Sequence, residues 1–446
     1  MKLFGTDGIR SRAGEAPLEA GTIARVGAAL ARRAHESNGG RDPRLLVGRD
    51  TRESGGWIEQ ALARGVGSQG GHVISAGVIP TPAVAYLTRD QGFDYGVVIS
   101  ASHNPFEDNG IKVFSGAGEK LTEALEAGIE QMVADGSWDV PASTPPDLEA
   151  VDLRGPYVAH LHQILASAGR LAGVKLVIDC AHGATATVAP DLFRDLGFDV
   201  DAIGCAPDGR NINLGCGSTH LESLQARVRE TGAALGIAFD GDGDRALFVD
   251  HEGRPVDGDA VMFIIARHLA AGGRLPGGAI VATVMSNIGL ELALRDLGVS
   301  IVRCGVGDKY VMEEMLARGL ALGGEQSGHV IVAEHLFTGD GIATALQLLR
   351  IVEESGQSLE TLAAGYKAYP QVLRNVRVRQ KQDYTSVPPI AAVIADVEGR
   401  LAGQGRLLIR YSGTEPLLRI MIEGPVQDDI VQWADAIAAA VQANLA

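Results

Sequence analysis

The densest group of chemically capable side chains is an acidic loop in the middle of the chain. Asp240, Asp242 and Asp244 alternate with glycines in FDGDGDR, directly after the apolar stretch 235–239. Because glycine adds no side-chain bulk, a tight loop can bring three carboxylates onto one cation, and oxygen ligands favour Mg²⁺. An EF-hand calcium loop would need Gly where Arg245 stands. The loop therefore predicts a magnesium site, with a solvated acidic turn as the alternative.

A second motif places a hydroxyl at the end of an apolar strand. In YGVVISASHNPFEDNGIKVF (95–114) the strand ends at Ser100, and Ser102 and His103 follow in a loop. Proteins with alternating strands and helices place their chemistry at the carboxyl ends of strands, and a nearby cation stabilises phosphate on a serine oxygen. Ser102 is therefore the candidate phosphoryl carrier, and Lys112 lies near enough along the chain to reach it. The alternative is a turn formed by the Asn-Pro pair.

A third motif offers polar groups for a sugar. GGEQSGHVIV (323–332) sets Glu325 and Ser327 in a glycine-flanked turn before an apolar strand. A carboxylate can accept hydrogen bonds from two neighbouring hydroxyls, and a serine hydroxyl adds a third directional bond. The motif therefore predicts a polyol ligand, with an ordinary β-turn as the alternative. His329, at the entrance of the strand, is equally compatible with a structural role.

A fourth motif, RYSGTEPLLR (410–419), is rich in groups that bind anions. It supplies Arg410, Ser412, Thr414 and Arg419 around Gly413. Two guanidinium groups, two hydroxyls and exposed backbone N–H groups in a tight loop predict a phosphate site. The alternative is a hairpin turn whose arginines are exposed to solvent.

The elements that must position these loops form a repeated pattern. The stretches 45–77, 175–204 and 278–305 each read as an apolar strand, a turn, a helix, a glycine and a second apolar strand. Strands that alternate with helices predict parallel βαβ units with ligands at the carboxyl ends of the strands. We therefore predict three related α/β domains in series. Thr219 and Glu222 have the spacing of a capping box, which predicts the start of a helix and no chemistry.

The pattern changes after about residue 370. The segments 375–381, 406–411 and 417–424 predict strands, and 388–400 predicts a helix. A last amphipathic helix carries apolar residues on one face, namely Ile430, Ala434, Ile437, Val441 and Leu445. The fold class is thus three α/β domains followed by a smaller C-terminal α+β domain. The predicted boundaries are 1–150 with the serine loop, 151–252 with the metal loop, 253–370 with the sugar loop and 371–446 with the phosphate loop.

The composition of the chain limits the kinds of partner that it is expected to bind. The chain has 446 residues, 46% of them hydrophobic, and a formal net charge of −16. This acidity argues against nucleic acid and anionic membrane surfaces as partners. The first residues contain no apolar signal region, and no apolar run approaches the ~18 residues of a membrane span. Four cysteines without metal-ligand spacing fit a reducing compartment, so we expect a cytoplasmic protein that binds small molecules.

Taken together, the motifs resemble the α-D-phosphohexomutase family over essentially the whole chain. Serine loop, aspartate loop, sugar loop and phosphate loop occur in that order, one in each predicted domain. Within the family, GTDGIR at 5–10, ISASHNP, GEQSGH and RYSGTEPLLR are similar to the branch that acts on glucosamine phosphates. The resemblance implies four domains around a central cleft.

The resemblance also implies residue roles. It implies that phosphorylated Ser102 and the three aspartates coordinate one Mg²⁺ per chain. Around the phosphoserine it places Arg10, Lys112 and Arg245. On the substrate it places Glu325, Ser327, Arg410, Ser412, Gly413, Thr414 and Arg419. Lys309 stands where family members often carry Arg and is expected to meet an anion. The general base is either His103 or His329.

The reaction implied is interconversion of glucosamine 6-phosphate and glucosamine 1-phosphate through a 1,6-bisphosphate, feeding UDP-N-acetylglucosamine and peptidoglycan precursors. Three alternatives remain open: a phosphomannomutase or phosphoglucomutase, a metal-dependent sugar phosphatase, and a noncatalytic sugar-phosphate sensor. The oligomeric state is not predicted.

Overall fold

The structure is a computed structural model that describes residues 2–5, 7–412 and 415–446. Four sheets follow one another along the chain, the first three with helices between their strands and the last small and antiparallel. Among the described helices, none has the length and apolar character needed to cross a bilayer. The predicted fold class of three α/β domains and a smaller α+β domain is confirmed.

The first sheet carries the serine loop. Its elements are β1 (Ile9–Arg12), α1 (Ala20–Ser37), β2 (Arg44–Arg49), α2 (Gly55–Gly67), β3 (His72–Val78), α3 (Thr81–Asp90), β4 (Tyr95–Ile99), β5 (Asp108–Ser115), α4 (Glu123–Ala134) and β6 (Leu148–Ala150). The strand order is β1-β5-β4-β2-β3-β6. Strands β2, β3 and β4 run parallel, and β5 returns antiparallel to β4. The serine loop therefore joins β4 to β5 at the carboxyl edge of the parallel strands.

The second sheet carries the aspartate loop. Its elements are α5 (Arg154–Leu161), β7 (Lys175–Asp179), α6 (Ala189–Asp195), β8 (Asp199–Ile203), α7 (Glu222–Thr231), β9 (Leu235–Phe239), β10 (Ala246–Asp250) and β11 (Pro255–Val256), in the order β11-β10-β9-β7-β8. Strand β10 pairs antiparallel with β9, so the aspartate loop is the turn of a hairpin. Helix α7 follows Leu221 without a side-chain cap, and Thr219 lies in a preceding 3-10 turn. The predicted capping box is therefore wrong.

The third sheet carries the sugar loop. Its elements are α8 (Gly258–Ala271), β12 (Ala279–Thr283), α9 (Ile288–Arg295), β13 (Ser300–Cys304), α10 (Asp308–Arg318), β14 (Leu322–Gly324), β15 (Val330–Val332), α11 (Gly341–Ser355) and α12 (Leu359–Ala363), in the order β13-β12-β14-β15. Strands β14 and β15 are antiparallel and flank the sugar loop. The pairs β2/β3, β7/β8 and β12/β13 are all parallel, which confirms the predicted repeat.

The last sheet is antiparallel. Its elements are β16 (Gln371–Arg377), α13 (Pro388–Leu401), β17 (Arg406–Tyr411), β18 (Leu417–Glu423) and α14 (Gln427–Leu445), in the strand order β16-β18-β17. The five apolar positions predicted on one face of the last helix are all buried. The chain divides into two compact units, the first up to Met285 with Val299–Ala364 and the second Ser286–Gly298 with Gly365–Ala446. The second unit thus includes α9.

Candidate active site

The aspartate loop forms a buried group of carboxylates. Asp240, Asp242 and Asp244 are at most 3% exposed, and each offers an oxygen within 4.8 Å of the others. Asp242 Oδ1 and Asp244 Oδ1 are buried and accept no hydrogen bond from the described residues. Burial raises the pKa of Asp240 well above its usual value, and the charges of its two neighbours add to the shift. Unpartnered, mutually repelling carboxylate oxygens are the donor set that a hard divalent cation requires.

The serine loop meets this group directly. Ser102 is 1% exposed and its Oγ donates a hydrogen bond of 2.5 Å to Asp240 Oδ2. A Cβ on Gly241 would lie 2.6 Å from the Ser102 carbonyl oxygen, so glycine is required where the two loops touch. The structure therefore brings the predicted carrier and the predicted metal ligands into one site.

Two side chains that the sequence analysis did not single out shape the serine loop. Arg52 is 1% exposed, forms an ion pair with Asp50, and donates to the carbonyl oxygens of Asn104 at 2.5 Å and Ser102 at 3.3 Å. Asn213 Nδ2 donates to the Ser102 carbonyl oxygen at 2.9 Å. These donors hold Ser102 with a φ of 53°, a backbone region that non-glycine residues rarely adopt.

Lys112 lies among the carboxylates. Its Nζ is 2.8 Å from Asp242 Oδ2, 3.0 Å from Asp244 Oδ2 and 3.2 Å from Asp7 Oδ2. Burial opposes its charge, but these carboxylates raise the pKa of Lys112 well above its usual value. Lys112 is therefore a fixed cation beside the serine loop.

Two arginines and a histidine lie around the serine loop and the aspartate loop. Arg10 Nη2 lies 2.5 Å from Asp7 Oδ2, and Arg245 Nε lies 3.8 Å from Asp244 Oδ1. His103 Nδ1 is 3.3 Å from Ser102 Oγ. Burial lowers the pKa of His103 to about 4, and the two arginines act in the same direction. The imidazole is therefore neutral at physiological pH, and its lowered pKa makes it a weaker base than an ordinary histidine.

The sugar loop faces an open cavity next to these groups. The cavity has a volume of about 570 Å³ and is lined by residues of the N-terminal segment and by Arg10, Asp244, Arg245, Gly307 and Glu325. Glu325 Oε1 accepts a hydrogen bond from the Gly307 backbone N–H at 3.2 Å, and Ser327 Oγ donates to Glu325 Oε2 at 3.3 Å. A cavity of this size suits a sugar phosphate.

Two predicted residues have partners within the protein. His329 is 1% exposed, and its Nε2 accepts a hydrogen bond from the Gly339 backbone N–H at 3.0 Å. Lys309 Nζ forms a 2.8 Å ion pair with Glu126, which links α10 to α4. His329 Nδ1 also lies 3.7 Å from Asp244 Oδ2, so His329 contacts the aspartate loop, whereas Lys309 contacts the first domain.

In the second unit, the phosphate loop shows one distinctive feature. Arg410 and Arg419 are directly opposite each other in the register of β17 and β18. Like charges at opposite positions are destabilising, and Arg419 Nη2 lies 3.8 Å from Glu415 Oε2. Ser412 is buried and its backbone N–H donates to the Leu417 carbonyl oxygen at 2.9 Å. Gly413 and Thr414, predicted to complete the loop, lie outside the described residues.

Comparison with known families agrees with this architecture. The chain matches phosphoglucomutase/phosphomannomutase alpha/beta/alpha domain I over residues 1–139, domain II over 155–253, domain III over 257–369 and the C-terminal domain over 373–440. The chain belongs to the phosphoglucomutase/phosphomannomutase family. The predicted family and enzyme class, an isomerase-class phosphotransferase, are confirmed.

Individual relatives indicate which branch of the family this chain resembles. Phosphoglucosamine mutase of Solibacter usitatus is 49% identical, and the match covers 99% of each chain. Phosphoglucosamine mutase of Moorella thermoacetica is also 49% identical over 96% of each chain. The predicted resemblance to the glucosamine phosphate branch is therefore confirmed.

Solved structures show the same fold. A phosphoglucomutase/phosphomannomutase family protein from Burkholderia thailandensis is 25% identical, with a TM-score of 0.81 over 99% of this chain and 97% of that one. N-acetylphosphoglucosamine mutase of Aspergillus fumigatus, solved with GlcNAc-6P and magnesium, is 18% identical, with a TM-score of 0.68 over 99% and 95%.

Proposed function

We propose that this enzyme interconverts glucosamine 6-phosphate and glucosamine 1-phosphate through phosphorylated Ser102 and a 1,6-bisphosphate intermediate. The observation that carries the proposal is the 2.5 Å hydrogen bond from Ser102 Oγ to Asp240, within a group of three buried carboxylates. Full-length relatives named phosphoglucosamine mutase support the substrate.

The aspartate loop fits Mg²⁺, and the Aspergillus protein of the same fold was solved with magnesium. We propose that Asp240, Asp242 and Asp244 hold one such ion together with the oxygen of Ser102. When bound, Mg²⁺ neutralises charge that builds on a phosphoryl group during transfer.

The protein's own residues supply the rest of the transfer. The bond from phosphorus to Ser102 Oγ breaks as a bond to a sugar hydroxyl oxygen forms, and the hydroxyl proton leaves to a base. Lys112, Arg10 and Arg245 neutralise the phosphoryl oxygens, since such transition states need positioning and charge compensation more than covalent assistance. His103, beside Ser102 Oγ, is better placed than His329 to take the proton.

The second half of the reaction needs the intermediate to turn around. Glu325 and Ser327 hold sugar hydroxyls at the cavity, while Arg410, Ser412 and Arg419, together with Gly413 and Thr414, hold the phosphate that is not being transferred. Ser102 then recovers a phosphoryl group from the other end of the sugar. A multidonor phosphate site that accepts both orientations is the simplest device for this exchange.

Several broader features complete the proposal. Each sheet corresponds to one domain, with the boundaries 1–150, 151–252, 253–370 and 371–446. The protein works in the cytoplasm on small sugar phosphates, without nucleic acid or membrane partners. Lys309, paired with Glu126, fixes the edge of the cavity at Gly307 and Asp308.

Substrate choice is tested by comparing kcat/KM for glucosamine, glucose and mannose phosphates. We expect glucosamine phosphates to be preferred by at least about ten-fold, the discrimination that a few directed contacts supply. A comparable preference for mannose phosphates would overturn the substrate assignment. Stoichiometric release of inorganic phosphate would instead identify a phosphatase, because a mutase returns the group to the sugar.

A further inference from the structure

The start of helix α3 contacts the aspartate loop. Thr81 is the first residue of this helix and is 1% exposed. Its backbone N–H donates a hydrogen bond of 2.8 Å to the Asp242 carbonyl oxygen, and its Oγ1 donates one of 2.6 Å to Asp242 Oδ2. A single buried threonine therefore binds both the backbone and the carboxylate of a residue in the proposed metal site.

The local sequence explains why a helix begins at this threonine. Pro80 precedes the helix with a φ of −58°, and Pro82 is its second residue. Proline is well tolerated in the first turn, because it fixes a suitable φ and the N–H that it lacks would have no partner within the helix. The Thr81 N–H also has no partner within the helix and is free to bind another segment. The start of α3 thus offers a backbone donor and a hydroxyl to the aspartate loop.

Close packing leaves the aspartate loop little freedom at this contact. Gly243 has a φ of 75°, and a Cβ added to it would lie 3.3 Å from Pro80 Cβ and 2.5 Å from Thr185 Cγ2. Only glycine fits between these two side chains. Loss of the Thr81 hydroxyl should therefore change the orientation of the Asp242 carboxylate more than the position of the loop.

The two carboxylate oxygens of Asp242 have different surroundings. Oδ2 accepts hydrogen bonds from Thr81 Oγ1 at 2.6 Å and from Lys112 Nζ at 2.8 Å. Each carboxylate oxygen offers about two lone-pair positions, so these two donors use those of Oδ2. Oδ1 is buried and accepts no hydrogen bond within the described part of the chain. The donors therefore fix one oxygen and leave the other available to a cation.

We propose that Thr81 is a positioning residue of the metal site, whose hydroxyl fixes the rotation of the Asp242 carboxylate so that Oδ1 stays available to a divalent cation. The inference rests on the proposed magnesium site. Lys112 cannot replace this contact, because its Nζ is shared with Asp244 and Asp7. A hydroxyl has one proton to donate, and Thr81 donates it to Asp242.

The test compares Thr81→Val with Thr81→Ser in the full-length enzyme. Valine keeps the shape of the side chain and the backbone N–H but lacks the hydroxyl, whereas serine keeps the hydroxyl. Titration calorimetry gives the affinity for Mn²⁺, and activity assays give the Mg²⁺ concentration for half-maximal activation. Thr81→Val should weaken Mn²⁺ binding by about 10–100-fold, the usual effect of removing a group that orients a metal ligand, and should raise the Mg²⁺ requirement by a similar factor. Thr81→Ser should bind Mn²⁺ as the wild type does.

Thr88→Val is the matched control. Thr88 is another buried threonine of α3, and its Oγ1 donates to the Val84 carbonyl oxygen of the same helix at 2.6 Å. Its replacement removes a buried hydroxyl away from the aspartate loop and should leave Mn²⁺ affinity unchanged. Thr81→Ala also lacks the hydroxyl and adds no bulk, so it should repeat the loss of affinity if Thr81→Val does not fold, as judged by the apparent Tm.

Two results would overturn the positioning role of Thr81. One is wild-type affinity for Mn²⁺ in a folded variant that lacks the hydroxyl, and the other is an equal loss in Thr81→Ser or Thr88→Val. Failure of the wild type to bind Mn²⁺ would overturn the proposed metal site itself, and this inference with it. Measuring the wild type first therefore separates a failure of the proposed function from a failure of the role given to Thr81.

Discussion

Charge balance governs the residues around Ser102. Asp240, Asp242 and Asp244 are buried together, and Lys112 offsets part of their charge from one side. Asp242 Oδ1 and Asp244 Oδ1 still accept no hydrogen bond from the described residues. Buried charges of one sign are costly unless they are paired, which is why this group of carboxylates is suited to a bound cation.

Asp242→Asn should weaken activation by Mg²⁺. Loss of a residue that merely supports a metal ligand costs about 10–100-fold in affinity, so loss of a ligand should cost at least as much. Titration calorimetry with Mn²⁺, together with activity as a function of Mg²⁺, measures the effect. Glu252→Gln, in the exposed cluster with His251 and Glu360, is the matched control and should change neither quantity. Near-normal activation of Asp242→Asn would remove the residue from the metal site.

Arg52→Lys should lower kcat with little change in KM. Lysine keeps the charge beside Asp50 but cannot reach several carbonyl oxygens of the serine loop as the guanidinium does. A small shift of Ser102 should reduce kcat by about 10–100-fold. Steady-state kinetics and the apparent Tm measure both effects, with the exposed pair variant Arg194→Lys as control. Unchanged kcat in a folded variant would contradict a positioning role for Arg52.

At the scale of elements, the sequence predicted the strands and helices that follow from a local pattern of apolar residues. The strands at 406–411 and 417–424 and the helix at 388–400 agree with β17, β18 and α13 because alternation and helical periodicity are local properties. The capping box failed because a 3-10 turn took up Thr219, and no local rule separates these outcomes. A sequence pattern therefore predicts that an element exists more reliably than it predicts the residue at which the element begins.

The residues of the candidate site likewise divide into those that a local sequence pattern predicts and those that depend on tertiary contacts. Ser102 and the aspartates stand out because polar groups follow apolar strands, and glycine spacing marks where the loops touch. The sequence gives no signal for Arg52 and Asn213, because each acts through carbonyl oxygens of a loop that is distant in sequence. The pairing of Lys309 with Glu126 likewise depends on tertiary contacts. Such partners follow only from the folded structure.

The start of helix α11 carries a carboxyl group whose protonation makes the stability of the protein depend on pH. Asp340 caps it by accepting from the Ala343 backbone N–H, and the Tyr157 hydroxyl donates to the same carboxyl group. Burial raises the pKa of Asp340 to about 6. The folded state therefore holds this proton more tightly than the unfolded state does, and stability from this group is full below about pH 4 and is lost as pH rises through about 6.

Asp340→Asn should remove that dependence while keeping an oxygen at the cap. Relative to wild type, the variant should gain on the order of 2–3 kcal/mol in stability between pH 4 and pH 7. Apparent Tm across this range, with hydrogen exchange at the start of α11, measures the trend. Parallel Tm curves for the two proteins would show that Asp340 does not titrate there.

At the scale of the whole molecule, chain order and structural units differ. Helix α9 lies between β12 and β13 in sequence but belongs to the second unit. The Ile288 backbone N–H at its start donates to Glu423 of β18, and Asn287 exchanges hydrogen bonds with the Tyr369 backbone. The predicted third domain, 253–370, includes this helix, as does the family match to domain III over 257–369, and a βαβ pattern carries no information about which neighbour a helix packs against.

Arg419→Gln should separate binding in the second unit from chemistry in the first. Removing one of two opposed guanidinium groups should raise KM for sugar phosphate by about 10–100-fold, the usual worth of a charge-assisted hydrogen bond. Phosphorylation of Ser102 and Mn²⁺ affinity should be unchanged. Arg400→Gln, exposed on α13, is the control. Unaltered KM would assign the arginine pair a structural role.

The central claim is that Ser102 carries the phosphoryl group between the two ends of the sugar. Enzyme labelled with ³²P from a labelled sugar bisphosphate is mixed with excess glucosamine 6-phosphate in a rapid-quench experiment. We expect that label leaves the Ser102 peptide for sugar bisphosphate at least as fast as kcat, and that Ser102→Ala takes up no label and does not turn over. Label that stays on Ser102 during turnover, or near-normal activity of Ser102→Ala, would contradict it.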